Sequence, residues 1–273
     1  MNAAALSPRS QVGWRAPRIG ILIVAYNAER TLPRVLDRIP SSVLSRCREI
    51  FIFDDASQDG TIEVALDCQQ HFRGAPLSVH RNPTNQMYGG NQRRGYLYAM
   101  QQDLDIVVLL HGDGQYAPEV LDDLLRPLEY GRADMVMGSR MLHPGGALAG
   151  RMPTYKFIGN KVLTRIQNWL VGTCLSEFHS GYRAYSVAAL RSIPLAQLTA
   201  NWHFDTQIIL EFIQRGYRIQ EVPIPTFYGD EICRVNGIPY AAHCIVECLG
   251  YAVSHRRREL PLPESATTPR PAK

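Results

Sequence analysis

Apolar residues occur along this chain in short continuous runs, with helical patterns between them. From Arg18 the order is the run IGILIVAY, the helical pattern ERTLPRVLDRI, the run EIFIFDD, a helix from Asp59 to about His71, and the run LSVHR. Continuous runs are typical of strands buried on both faces of a parallel sheet, with helices as crossovers. This part of the chain therefore predicts an α/β unit.

The same alternation continues through the rest of the chain. GNQRRGYLYAMQQ predicts a helix, DIVVLL a strand, APEVLDDLLRPLEY a helix and ADMVMGSR a strand. A loop rich in glycine and proline then precedes a helix from about Tyr155 to Val171, which is followed by FHSGYRAYS, the helix DTQIILEFIQRG and YRIQEVPIP. We therefore expect a mainly parallel sheet flanked by helices.

The pattern divides the chain into four segments. Residues 1–17 lack the apolar core of a signal peptide and are expected to be a flexible lead, and residues 18–236 form the α/β domain. Residues 237–260 predict an amphipathic helix with a basic end, and residues 261–273 a disordered tail. The helix is too short and polar to span a bilayer. Because residues 1–17 lack the apolar core of a signal peptide, we expect a cytoplasmic protein.

Composition narrows the range of partners. The formal charge is only +4, from 29 basic and 25 acidic residues, so nucleic acid is not expected as a partner. The basic residues cluster in SHRRRE at 254–259, next to the amphipathic helix. Two interpretations of this segment stay open, contact with anionic lipid or packing on the domain. The sequence leaves the oligomeric state undetermined.

Polar side chains follow several of the predicted strands. Tyr26, Asp54, Asp55, Asp113 and Arg140 all come at or just after a strand end. Ligands of open α/β sheets bind at the carboxyl ends of the strands, so these residues are expected along one rim. The chain has neither GxGxxG after the first strand nor a phosphate loop, which argues against hydride transfer and ATP hydrolysis.

Three motifs carry candidate chemistry. FDDASQDGT offers two adjacent carboxylates for a base or ribose, while Asp59 and Thr61 suit the start of a helix. In HGDGQY the glycines allow close approach of the backbone, and Asp113 suits a metal ion. Asn91 in GGN is either a nucleotide contact or part of a helix start.

These motifs resemble the inverting glycosyltransferases of family 2, which have the GT-A fold, and among them the polyprenyl-phosphate sugar transferases such as dolichyl-phosphate mannosyltransferase. The resemblance covers residues 19 to about 241. FDDASQDGT matches the family's Asp-Asp-x-Ser-x-Asp-Gly-Thr pattern, whereas VAYNAE departs from Tyr-Asn-Glu by placing Ala28 before Glu29. The resemblance implies a Rossmann-like nucleotide-diphospho-sugar transferase fold with a mixed, mainly parallel sheet.

The resemblance also implies a nucleotide-sugar donor, such as GDP-mannose or UDP-glucose, and a divalent metal, Mn²⁺ or Mg²⁺. The family's Asp-x-Asp metal motif falls on HGDGQ, so Asp113 is the expected ligand, Gln115 supports it, and His111 stands where a first carboxylate is usual. Imidazole suits manganese better than magnesium. The expected donor contacts are Ala25, Tyr26, Asn27, Glu29, Asp54, Asp55, Asn91, Gly112 and Asp113.

The acceptor side is implied in the same way. Arg140 resembles the family arginine near the phosphates, and Lys156 and Asn160 take the place of an arginine and a serine for the acceptor phosphate. HSGYRAY resembles a Ser-Gly-Phe-Arg segment, which adds Ser180 and Arg183. The expected catalytic set is Asp113, Arg140, Arg183 and Asp205, with Asp205 as the base if the acceptor is a hydroxyl.

The leading hypothesis is transfer of a hexose, with inversion, to a polyprenyl phosphate at the cytoplasmic face of a membrane, the protein being soluble or peripheral there. A second hypothesis keeps the fold and donor but uses a soluble or protein-bound hydroxyl. A third is a catalytically silent nucleotide-sugar binding protein.

Overall fold

The computed structural model describes residues 15–227 and 236–259, and for 255–259 the backbone alone. Most of the predicted lead, the predicted tail and the side chains of SHRRRE beyond Ser254 therefore lie outside the described residues.

Strands and helices alternate along the described chain. The strands are β1 (Ile19–Ala25), β2 (Cys47–Asp54), β3 (Leu77–Arg81), β4 (Ile106–His111), β5 (Met135–Ser139), β6 (Arg183–Ser186) and β7 (Ile219–Pro223). The helices are α1 (Leu32–Asp37), α2 (Ser41–Leu44), α3 (Thr61–His71), α4 (Met87–Gln101), α5 (Leu121–Glu129), α6 (Gly146–Ala149), α7 (Thr154–Val171), α8 (Val187–Arg191), α9 (Phe204–Gln214) and α10 (Gly237–Glu259).

The seven strands form one sheet in the order β3-β2-β1-β4-β6-β5-β7. All neighbours are parallel except β6, which runs antiparallel to both β4 and β5. A mixed, mainly parallel sheet was predicted, and the structure confirms it. Because β6 is reversed, its first residue, Arg183, lies toward the edge where the parallel strands end. This reversal brings the segment before Arg183 to that edge.

Apolar side chains pack on both faces of the sheet. On one face α1, α3 and α5 cover β1, β2 and β4 with residues such as Val35, Ala65 and Leu124. On the other face α4, α8 and α9 supply Tyr96, Leu190 and others. The central strand β4 is buried along its whole length, as its continuous apolar run predicts.

Helix α4 begins at Met87, three residues before the predicted start. Gly89 lies inside the helix, where α4 packs closely on α9. A Cβ on Gly89 would lie 2.5 Å from the Cβ of Phe204. Asn91 is therefore a residue of the helix body.

Helix α10 covers the predicted C-terminal segment. Cys244 and Cys248 are fully buried, and Cys248 packs with Val171 of α7 and Leu210 of α9. The side of α10 that carries these cysteines therefore packs on the domain, which is one of the two interpretations of this segment. Within the described residues, no helix combines the length and the hydrophobicity needed to cross a bilayer.

Candidate active site

The ends of three parallel strands meet at one edge of the sheet. The register pairs Ala25 of β1 with Asp54 of β2, and Val24 with His111 of β4. Asp113 follows β4 by two residues. The strand ends that the sequence placed on one rim are therefore neighbours in the structure.

Two loops at this edge are joined by hydrogen bonds. The bonds run from Asn27 N–H to Ser57 Oγ at 2.9 Å, Ala28 N–H to Thr61 Oγ1 at 2.8 Å, Gln58 N–H to Asn27 Oδ1 at 2.9 Å and Gly60 N–H to Glu29 Oε2 at 3.3 Å. The side chains of Tyr26, Asn27 and Glu29 are exposed there. These loops form one wall of the candidate donor site.

The expected caps of α3 differ slightly from the structure. The helix begins at Thr61, with Gly60 at the cap position instead of Asp59. Asp59 nevertheless accepts the Thr61 N–H at 3.1 Å. Although burial opposes the effect, the hydrogen bonds from Thr61 lower the pKa of Asp59.

The two adjacent carboxylates point into the protein. Asp54 is fully buried, accepts the Ser57 N–H at 3.3 Å and lies 3.5 Å from Nε of Arg81. Asp55 is 4% exposed and accepts hydrogen bonds from Asn82 Nδ2 and from the Gln86 N–H, both at 2.7 Å. Burial raises the pKa of Asp55. In this structure the two carboxylates bond the surrounding loops, and the expected base or ribose contact stays a prediction.

Asn91 is also turned inward. Its Nδ2 donates to the Phe53 carbonyl at 3.0 Å, and its Oδ1 accepts from Asn82 at 2.9 Å. Only 3% of the residue is exposed. Asn91 ties α4 to β2 in this way, and the expected nucleotide contact stays a prediction.

The loop after β4 presents Asp113 at the surface. The Gly112 N–H donates to the Val24 carbonyl at 2.9 Å, and Thr31 Oγ1 donates to the Gly112 carbonyl at 2.6 Å. Gly114 has φ +75°, which permits the turn. The exposed Asp113 carboxylate accepts the Gln115 N–H at 2.9 Å. Its position suits an oxygen ligand that faces solvent.

His111 has different surroundings. Its ring lies against Tyr116, with centroids 5.0 Å apart, and near Tyr88 at 5.9 Å. Nε2 is buried without a hydrogen-bond partner, and a Cβ on Gly181 would lie 3.0 Å from it. Burial lowers the pKa of His111, which favours the neutral ring. Nε2 therefore faces Gly181 and not the surface, and the expected role of His111 as a metal ligand stays a prediction.

The side chains of Asp113 and Gln115 offer oxygen ligands for a metal ion. Among the described residues no three His, Cys, Asp or Glu side chains converge on one point. Mg²⁺ is commonly held by one or two carboxylates together with substrate phosphates and water. Asp113 fits this pattern, with the side-chain amide oxygen of Gln115, two residues further along the chain, as support. The residues present therefore fit a hard divalent ion that is shared with a diphosphate.

The segment before β6 is the centre of the other half of the site. Glu177 is fully buried and accepts hydrogen bonds from the backbone N–H of Arg140 at 2.8 Å and from its Nε at 2.9 Å. It also pairs with Nη2 of Arg140 and accepts from Nδ2 of Asn160 at 2.8 Å. Burial alone would raise the pKa of Glu177, but the Arg140 charge and these hydrogen bonds lower it.

Glu177 therefore joins the loop after β5 to helix α7. The expected phosphate contacts of Arg140 and Asn160 remain predictions, because both side chains face Glu177 in this structure. Lys156 lies one turn before Asn160 on α7 and is half-buried.

The same segment also contacts the loop after β4. The Gly181 N–H donates to Tyr116 Oη at 2.7 Å, and Nη2 of Arg140 donates to the His179 carbonyl at 3.2 Å. Ser180 is fully buried, and its Oγ accepts the Tyr182 N–H at 3.3 Å. Ser180 thus makes an internal hydrogen bond, and its expected contact with the acceptor stays a prediction.

Arg183 is buried completely. Its guanidinium donates to the carbonyls of Ser180, Asp205 and Phe178 at 2.9 to 3.0 Å, and Nη1 lies 3.3 Å from Oδ1 of Asp205. Although burial opposes its charge, Asp205 raises the pKa of Arg183. The described contacts of Arg183 are all internal, and its expected contact with the acceptor stays a prediction.

Asp205 has a similar environment. It is 4% exposed and accepts a hydrogen bond from Tyr88 Oη at 2.7 Å. Tyr88 in turn stacks on Trp202, with ring centroids 4.6 Å apart. Arg183 and Tyr88 thus enclose the Asp205 carboxylate, and its expected role as a general base stays a prediction.

Sequence reasoning missed Glu177, Tyr88 and Tyr116. Tyr116 is part of the motif HGDGQY, where a buried tyrosine is as common as a ligand contact. Glu177 is separated from Arg140 by 37 residues and has no local pattern. A charged residue in the loop next to the Ser-Gly-Tyr-Arg segment was the available signal.

Known proteins resemble this chain in sequence and in fold. The family model described as Glycosyl transferase family 2 matches residues 20–192. An undecaprenyl-phosphate mannosyltransferase of Micrococcus luteus is 31% identical over 218 residues, which is 79% of this chain and 85% of that protein. A polyprenol monophosphomannose synthase of Mycolicibacterium smegmatis is 27% identical and covers 78% of each chain.

Solved structures agree in fold. Glucosyl-3-phosphoglycerate synthase of Mycobacterium tuberculosis, with Mn²⁺, UDP-glucose and phosphoglyceric acid, superimposes with a TM-score of 0.66 at 19% identity, covering 89% of this chain and 81% of that one. The expected GT-A fold and the resemblance to polyprenyl-phosphate sugar transferases are confirmed. The chain is a glycosyltransferase that belongs to glycosyl transferase family 2.

Proposed function

We propose that this enzyme transfers a hexose from a nucleotide-diphospho-sugar, such as GDP-mannose or UDP-glucose, to a polyprenyl phosphate with inversion at the anomeric carbon. An undecaprenyl-phosphate mannosyltransferase and a polyprenol monophosphomannose synthase among its relatives support this substrate class. The donor sugar and base are chosen by pocket shape, which short motifs do not encode.

The observation that carries the proposal is the enclosure of Asp205. A hydroxyl acceptor needs a group that removes its proton, and the predicted base is buried against Arg183 and Tyr88. A phosphate monoester is already an anion at neutral pH and attacks without deprotonation. This enclosure therefore favours a phosphate acceptor over a hydroxyl.

The reaction is a single displacement. An acceptor phosphate oxygen forms a bond to the anomeric carbon as the bond to the nucleoside diphosphate breaks, which inverts that carbon. The protein contributes by holding both substrates in line and by placing positive charge near the phosphates. Lys156 supplies such a charge on α7, and Arg140 is the second cation of this region.

A divalent ion, Mn²⁺ or Mg²⁺, would be held by Asp113 with support from Gln115. When bound, such an ion neutralises charge on the leaving diphosphate. Structures of glucosyl-3-phosphoglycerate synthase with Mn²⁺ and UDP-glucose support a metal in this fold. Tyr26, Asn27 and Glu29, which are exposed beside this loop, are our proposed donor contacts.

The remaining polar residues hold these groups in place. Glu177 fixes Arg140 relative to Asn160, and Arg183 ties the segment before β6, through the carbonyls of Phe178 and Ser180, to Asp205 of α9. We place the reaction at the cytoplasmic face of a membrane, because the lipid tail of the acceptor resides in the bilayer.

The test is a transfer assay. Purified protein is incubated with Mn²⁺, a panel of labelled nucleotide sugars and undecaprenyl or dolichyl phosphate dispersed in detergent, and label entering the organic phase is counted. Asp113→Ala should abolish transfer, whereas Asp123→Ala, which changes another exposed carboxylate, should not. Release of nucleoside diphosphate without a lipid product would indicate a soluble acceptor, and no turnover with any donor would indicate a silent binding protein.

A further inference from the structure

The outer side of α7 carries a line of large apolar side chains that face solvent. Tyr155 is 73% exposed, Ile158 55%, Val162 54%, Ile166 37% and Trp169 78%. They are spaced by three or four residues and therefore lie along one face of the helix. At 1.5 Å per residue this α7 stripe is about 21 Å long.

The α7 stripe is not the face that packs on the protein. Leu163, Thr164, Gln167 and Val171 are the buried residues of this helix, and they lie on its opposite side. Soluble proteins seldom expose apolar residues contiguously over such a length, and a surface of this kind marks an interaction site.

The charge of α7 indicates what the stripe contacts. The helix carries the cations Lys156, Lys161 and Arg165 and no acidic residue. Lys161 and Arg165 are exposed and lie one turn apart beside the stripe. Apolar side chains on one face with cations at its border are typical of helices that lie in the surface of an anionic bilayer.

The residues at the two ends of the stripe also suit the surface of a bilayer. Tyr155 and Trp169 have amphipathic rings, which are favoured at the boundary between lipid and water. A second copy of the chain fits less well, because a symmetric contact through this face would bring like charges of two α7 helices together.

We propose that α7 docks on the surface of an anionic lipid bilayer, with its axis along the membrane and the α7 stripe inserted among the lipids. The inference deepens the proposed function and rests on it for the identity of the acceptor. Lys156 and Asn160 are on the same helix, on the side that faces the protein, so docking would hold the candidate acceptor site within one helix diameter, about 10 Å, of the inserted side chains.

The test is flotation with vesicles, which needs no substrate. The wild-type protein should float with vesicles of equal parts phosphatidylcholine and phosphatidylglycerol and bind phosphatidylcholine alone more weakly. The variant Ile158→Gln, Val162→Gln, Trp169→Gln should bind roughly tenfold more weakly or worse, because it removes apolar area that enters the bilayer. Lys161→Gln with Arg165→Gln should weaken binding about fivefold for each cation.

A matched control changes exposed apolar residues elsewhere. Leu66 and Leu97 are each 44% exposed and Tyr130 is 66% exposed. The triple variant with glutamine at these positions should float like the wild type. Equal flotation of the α7 triple variant and the wild type would overturn the proposal, and so would a wild-type dimer in sedimentation equilibrium that the α7 variant abolishes while no vesicles bind.

Transfer to detergent-dispersed acceptor separates this inference from the proposed function. The α7 variant should retain that activity and lose transfer to acceptor embedded in vesicles. Flotation of the wild type without lipid product from any donor would leave docking in place and refute the proposed function. Transfer in detergent without flotation would support the proposed function and refute docking.

Discussion

Replacing Glu177 with glutamine tests whether the part of the site around Arg140 and Asn160 depends on one buried ion pair. Glutamine keeps the length of the side chain and an oxygen that can accept from Asn160, but it removes the charge opposite Arg140. The Glu177 side chain is fully buried and that of Arg140 is 9% exposed, so water compensates little. Removing one partner of a buried ion pair costs about 3 kcal/mol or more.

We therefore expect Glu177→Gln to lower the free energy of unfolding by about 3 kcal/mol in urea titrations. Misplacement of Arg140 and Asn160 should also lower kcat/KM for transfer roughly a hundredfold. The matched control is Glu119→Gln, which breaks an ion pair with Arg38 whose side chains are 52% and 42% exposed. An exposed pair of this kind is worth about 1 kcal/mol at most.

A double-mutant cycle isolates the interaction. Arg140→Gln and Glu177→Gln together should destabilise the protein less than the sum of the single changes, by about 2 kcal/mol. If Glu177→Gln is as stable and as active as the wild type, or if the two effects simply add, then Glu177 does not hold Arg140 in place.

Three further predictions concern neighbouring residues. Asp205→Asn should lower the free energy of unfolding by about 3 kcal/mol because it leaves the buried Arg183 charge without its carboxylate, and the pH profile of kcat should keep its shape; loss of a basic-catalysis limb would restore Asp205 as the base. Burial lowers the pKa of His179 to about 4. The free energy of unfolding should therefore have its full value above about pH 6.5 and fall toward pH 4. Urea titrations of His179→Gln should show a flatter dependence on pH, and an unchanged slope would contradict this. Gly181→Ala should reduce transfer, because the added Cβ would lie 2.5 Å from Tyr88 Oη and 3.0 Å from His111 Nε2; full activity with unchanged melting temperature would show that this contact does not matter.

The sheet and its rim could be predicted from the sequence for a simple physical reason. Strands that are buried on both faces must be apolar throughout, so β1, β2 and β4 stand out as continuous runs. Parallel strands end at one edge, so the polar residues that follow them come together. The exposed residues Asp113 and Glu29 lie at this edge as expected.

The direction of side chains could not be predicted. A carboxylate at a strand end has the same local pattern whether it faces solvent, like Asp113, or the protein interior, like Asp54. What separates the two is tertiary contact, in this case with Ser57 and Arg81. Glu177 and Arg183 likewise take their roles from partners in other elements, and these partners are far away in sequence.

Strand β6 also shows what assembly of this fold requires. Its four residues are the hydrogen-bonded link between β4 and β5, which do not pair with each other in the described sheet. Every residue of β5 is buried in the final fold. During synthesis, however, this strand has no neighbour to pair with until residues 183–186 are made. The growing chain therefore carries an unpaired, aggregation-prone strand across the whole span that contains α7. β5 gains its first neighbour with β6 and its second only when residues 219–223 of β7 follow, so the sheet is completed late in synthesis.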